Sequence, residues 1–159
     1  MAVTEILASV DDVNTHLPTD KINAGENDPQ VISEIDLIEV DTARYIRSML
    51  YGTFSQVTLA GWDSPANTPE TIRGIAGRLI AAKWYSVRYA EDSDESSYAQ
   101  NLYDEALSMI RDIRSGSLVV LDDTLTPIDT AGGTDLTSDD FWPNDSTSGP
   151  KFTMDREFA

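Results

Sequence analysis

The chain reads as an all-α protein: a small bundle of about four helices, closed by a short C-terminal strand and followed by an extended tail. Three observations carry that expectation. Apolar residues recur at steps of three and four through two long stretches, 30–50 and 70–87. Capping residues and glycines punctuate those stretches at the places where helices start and stop. After Leu121 the apolar repeats end, and an acidic segment rich in Thr, Ser, Asp and Gly takes over. The expected organisation is therefore a helical domain over residues 1–121 and an acidic extended arm over 122–159.

The first helix opens at Ser9, an N-cap followed by acid in the first turn (Asp11, Asp12), and stops at Pro18. Residues 19–29 hold Asn23, Gly25, Asn27 and Pro29 and read as a loop. From Gln30 the second helix carries Val31, Ile35, Ile38, Thr42, Tyr45 and Met49 on one stripe, widened by Ile46 and Leu50, with Gly52 as its stop. The segment 52–67 is long for a helix connection and reads as a loop holding Gly61, Trp62, Pro65 and Asn67. Thr68-Pro69-Glu70 is a clear start signal: a cap, proline at the first helical position, and acid in the first turn.

The third helix continues with Ile72, Ile75, Ala76, Leu79 and Ile80, its apolar face extending toward Val87. Gly74 and Gly77 sit inside it although each costs about 1 kcal/mol relative to Ala. Close approach of another backbone is the usual compensation, so this helix is expected at the centre. An acid and serine run, 91–96, makes the turn into a last helix bearing Tyr98, Leu102, Ala106, Met109 and Ile113, broadened by Leu107 and Ile110, with Gly116 just past its end. Leu118-Val119-Val120-Leu121 favours β structure and either pairs with a neighbouring subunit or packs against the helices.

The formal charge is −17, which argues against free DNA or RNA as a ligand, because phosphate backbones are bound by a surplus of Lys and Arg. Without cysteine there are no disulfides or thiolate zinc sites. No apolar run is long enough to span a bilayer and the start lacks a secretion signal, so no membrane is expected and synthesis is placed in a cytoplasm. No cofactor motif is present: there is no phosphate-binding glycine loop, and a calcium loop started at Asp92 fails at Ser97 and Tyr103. His16, the one histidine, has no evident nucleophile or orienting acid and reads as a helix-end residue.

Two groups of residues point to protein contacts instead. Arg73, Arg78, Lys83 and Arg88 are spaced by five, so each step turns roughly 140° and the charges point all round one helix. That suits subunit interfaces better than a DNA-binding stripe. Trp62 is assigned to the same set, with folding onto the core as its favoured alternative. In the arm, Phe141, Trp142, Phe152, Met154, Arg156 and Phe158 are types enriched at interface cores and have no local apolar company. They are the expected partner-binding residues.

These features together resemble the head–tail connector (adaptor, or head-completion) proteins of long-tailed bacteriophages. The resemblance rests on Val10-Asp11-Asp12-Val13-Asn14 ending in Leu17-Pro18, on Ala43-Arg44-Tyr45-Ile46-Arg47, and on Trp62 with Thr68-Pro69-Glu70 leading into residues 72–82. It covers roughly residues 5–121. It implies a structural virion protein, not an enzyme, at the head–tail junction: a ring, typically of twelve copies, that joins the capsid portal protein to the stopper or tail-completion protein. DNA would pass through such a ring without specific binding. The rival expectation is an acidic binding module that covers a basic partner's surface; a small hydrolase using a carboxylate pair is a further one.

Overall fold

A computed structural model describes residues 6–17, 29–88 and 93–130, with side chains described throughout except at 29–35, 88 and 93–96. Five α-helices occur among these residues: α1 (Val10–Asn14), α2 (Pro29–Leu50), α3 (Gln56–Gly61), α4 (Glu70–Arg88) and α5 (Ser93–Ser115). A 3-10 turn, Pro65–Asn67, lies between α3 and α4. The segment 52–67 is thus not a plain loop. Ser55 caps α3 by accepting from the Thr58 amide at 3.1 Å, and Leu59 anchors it in the core.

Ser9, Gly52 and Gly116 act at the helix ends where the sequence places them. At α1 the Ser9 amide donates to Asp12 Oδ2 at 2.8 Å while Ser9 Oγ accepts from the Asp12 amide, a reciprocal pair that satisfies two otherwise orphaned donors. Gly52 ends α2 in the left-handed region, φ +86°, and Gly116 ends α5 at φ +77°. The Gly116 amide then donates to Ile113 O and the Leu118 amide to Asp112 O, closing the last turn. Thr68, expected as the cap of α4, does not cap it: the helix begins one residue later than expected, at Glu70, with Pro69 O accepting from the Arg73 amide. The buried Thr68 hydroxyl donates instead to Ser64 O at 2.7 Å, tying the 3-10 turn to the helix start.

Helix α4 is the centre of the fold, with α1, α2 and α5 all packed on it. Ile72, Ile75, Leu79 and Ile80 are almost fully buried, joined by Ala76, Ala81, Ala82, Trp84 and Tyr85. Each buried Ile or Leu contributes roughly 1.5–3 kcal/mol, which outweighs the helix cost of two glycines. Gly77 explains itself: a Cβ there would lie 2.7 Å from the Asp12 carbonyl oxygen, so α1 crosses α4 backbone to backbone. Gly74 does not, since its nearest neighbour would be the end of the Arg78 side chain at 3.4 Å. The apolar face stops short of Val87, which is exposed.

From α2 the core receives Thr42, Ala43, Ile46 and Leu50, and from α5 Ala99, Leu102, Ala106, Ile110 and Ile113. Ile38, Tyr45 and Met49 are packed at the edge. Past α5 no named strand occurs among the described residues. Val120 is buried, the Ile128 amide donates to its carbonyl at 2.9 Å, and Leu121 bridges Pro127, so the chain reverses on itself. The turn is held by Asp122, whose Oδ1 accepts from the amides of Thr124 and Thr126 and the Thr124 hydroxyl. This lets Leu125 adopt φ +60°. Ile128 packs on the core and Thr130 bridges Phe54. The folded body therefore continues to Thr130, beyond the boundary expected at Leu121.

Candidate functional site

The outer surface of this body is organised at two places, the seam where α1 crosses α4 and the corner where α2 gives way to α3. At the seam His16 lies against Gly77 and its carbonyl accepts from the Tyr98 hydroxyl of α5 at 2.9 Å. Burial and the neighbouring Arg78 guanidinium push the imidazole below its ordinary pKa, against the opposing pull of Glu105 and Asp12. Arg78 itself faces Glu105 of α5 at 3.4 Å and donates to Gly74 O at 3.1 Å. The Tyr98–His16 bond and the Arg78–Glu105 pair tie α5 to α1 and α4 at the protein surface.

The basic series on α4 accordingly divides. Arg78 is committed within the subunit. Arg73 is half-buried, with its Nε enclosed and without a hydrogen-bond partner. Lys83 borders a shallow cavity of about 260 Å³ between α4 and α5, shared with Ser86, Gln100 and Tyr103. The side chain of Arg88 lies outside the described residues.

Trp62 follows the alternative favoured from sequence and not the subunit-interface assignment: it is a core residue, 4% exposed, and meets Phe54 edge-on with ring centroids 5.3 Å apart. Its ring is needed to seat α3 and has almost no surface left for a neighbouring subunit. Phe141, Trp142, Phe152, Met154, Arg156 and Phe158 all lie outside the described residues.

At the corner, Arg47 in the last turn of α2 reaches across to α3. Its Nε donates to Leu59 O at 3.3 Å and its Nη2 to Trp62 O, carbonyls that the end of α3 leaves without intrahelical partners. Beside it lies a mostly apolar groove of about 450 Å³ lined by Arg47, Ser48, Tyr51, Gln56, Leu59 and Ala60. Tyr51 is 73% exposed on its rim, and Val57 on the same short helix is 84% exposed. On the opposite side of α3 a second opening, about 280 Å³, runs between Trp62, Thr68 and the Asp122–Ile128 turn.

Two further residues carry perturbed side chains, Glu39, which the sequence did not single out, and Tyr45, which it placed on the apolar stripe of α2. Glu39 is buried on α2 with no basic partner among the described residues, and burial together with nearby Asp36 raises its pKa from 4.5 to about 7. Tyr45 hydrogen-bonds Tyr103 across α2 and α5, and that bond raises its phenol. Among the described residues no group of three or more His, Asp or Glu is placed to hold a metal ion, and no helix is long and apolar enough to cross a membrane.

The chain matches no protein-family model, no curated protein and no solved structure.

Proposed function

We propose that the protein is a structural subunit of a ring at the head–tail junction of a long-tailed phage virion, joining the portal protein to the stopper or tail-completion protein. The observation that carries this reading is the pairing of net charge −17 with large apolar side chains left on the outside of a helical body, Tyr51, Val57 and Leu125 among them. Like charge keeps such subunits apart in solution and denies DNA a binding well along a channel. Exposed apolar groups supply the contact area that a protein partner desolvates. The adaptor-like strings in α1, α2 and α4 are consistent with the same assignment, and Lys83 and Arg73 offer basic contacts for acidic neighbours.

The test is a chain lacking residues 141–159, sedimented with portal rings. The expected result is an unchanged helical circular dichroism spectrum with portal binding weakened several-fold. Truncated protein that binds portal as well as the full chain contradicts the role given to the arm. Salt-sensitive binding to a basic protein, with no affinity for portal, would favour the acidic-module reading instead.

A further inference from the structure

We infer that the groove at the α2–α3 corner is the seat of the chain's own Phe141-Trp142, so that the free subunit covers this open apolar surface with its own arm. The inference stands apart from the portal assignment, since it depends only on the groove and on where the folded body ends.

Three observations select this occupant. First, the described chain finishes beside the groove: Thr130 bridges Phe54, and Phe54 in turn bridges Tyr51 on the rim. Residues 131–140 then separate the exit from Phe141. Such a linker reaches about 35 Å when extended. With Gly132 and Gly133 it has a root-mean-square span of roughly 17 Å, so the groove is well within range.

A tether of ten residues also supplies an effective concentration in the millimolar range, so even an intrinsic dissociation constant of about 0.1 mM keeps the seat roughly 90% filled. A second copy at micromolar concentration cannot compete with that. Second, the groove matches the side chains. Its volume, about 450 Å³, falls in the range of pockets that enclose small ligands. Its floor of Leu59 and Ala60 is apolar, Tyr51 offers a ring for edge or offset stacking, and Gln56 and Ser48 offer acceptors for an indole N–H.

Third, charge distinguishes between the two aromatic segments of the arm. Phe141 follows Asp139-Asp140, two acids that Arg47 at the groove attracts, whereas the later segment balances Lys151 and Arg156 with Asp155 and Glu157 and offers Arg47 no net charge. The later segment is thereby left for another partner.

The test labels the full-length chain with 5-fluorotryptophan, giving three fluorine resonances for Trp62, Trp84 and Trp142, the last assigned by Trp142→Phe. The solvent-isotope shift of each resonance is read at low and high micromolar protein, with sedimentation velocity on the same samples. The expected result is a shielded Trp142 in a monomer at both concentrations. Ala60→Arg, which fills the groove from an exposed position, should release Trp142 to full solvent exposure while Trp62 and Trp84 stay unchanged. Tyr51→Ser should release it in part. A Trp142 already fully exposed in the unmodified chain overturns the inference, as does shielding that survives Ala60→Arg. Shielding that grows with concentration alongside a dimer overturns it too, by making a second copy the occupant.

Discussion

The α1–α4 seam and the α2–α3 corner use similar materials to opposite ends. At the seam a glycine brings two backbones into contact, and His16, Arg78, Glu105 and Tyr98 spend their polar groups on one another. At the corner Arg47 also pins one helix to another, but the surface beside it is left open, with Tyr51 and Val57 in solvent. The difference teaches that exposure at the corner is not a failure of packing: Leu59, Phe54 and Trp62 directly beneath are fully seated. The interior and the seam are closed, and the corner is where apolar surface stays open to solvent.

The largest expected effect comes from the interior. Glu39 keeps its proton in the folded chain up to about pH 7, whereas in the unfolded chain it loses it near 4.5. The folded state therefore binds more protons across that window, and the stabilisation is present at low pH and lost as pH rises through 7. Denaturant titrations should show Glu39→Gln close to the parent at pH 5 and more stable by about 2–3 kcal/mol at pH 8. An equal gap at both pH values would place the carboxylate in water.

Next in size is the seam. Gly77→Ala must push α1 away from α4 and is expected to cost roughly 1–3 kcal/mol. Gly74→Ala meets only a flexible side-chain end and should gain up to about 1 kcal/mol from helix propensity. Thermal melts of the pair, run side by side, break the account if the two alanines behave alike.

At the corner Arg47→Ala should cost about 1–2 kcal/mol, because it strips two helix-end carbonyls of a charged donor. Amide exchange is expected to report the loss first in α3. Smallest of all, Tyr51→Ser should change stability by less than about 0.5 kcal/mol, because the ring is 73% exposed.

Much of the interior was legible because its signals are local or periodic. The Ser9 cap, the Thr68-Pro69-Glu70 start, the Gly116 stop and the stripes of α2, α4 and α5 all depend on residues within a turn or two of one another. Helix α3 was hidden because six residues hold too little of a 3.6-residue period to read, and Gly61 and Trp62 looked like loop punctuation. Arg47 stood out only as the last residue of the Ala43-Arg44-Tyr45-Ile46-Arg47 string, since its partners lie 12 and 15 residues away. Glu39 gave no sign of burial, because a carboxylate beside an apolar stripe ordinarily faces water. The return of 122–130 onto the core was masked by its acidic composition, which reads as solvated; the anchoring residue, Ile128, is one of only two large aliphatic groups there, and the other, Leu125, faces solvent. The corner groove exists only once α2 and α3 are brought together, so no pattern in the chain announces it.

The measurement that bears most directly on the account is electron microscopy, backed by native mass spectrometry, of the purified full chain with and without portal rings. The account predicts single subunits alone and, on the portal, a closed ring of copies with its channel continuous with the portal's. Single subunits that leave portal rings bare at saturating concentration would contradict it.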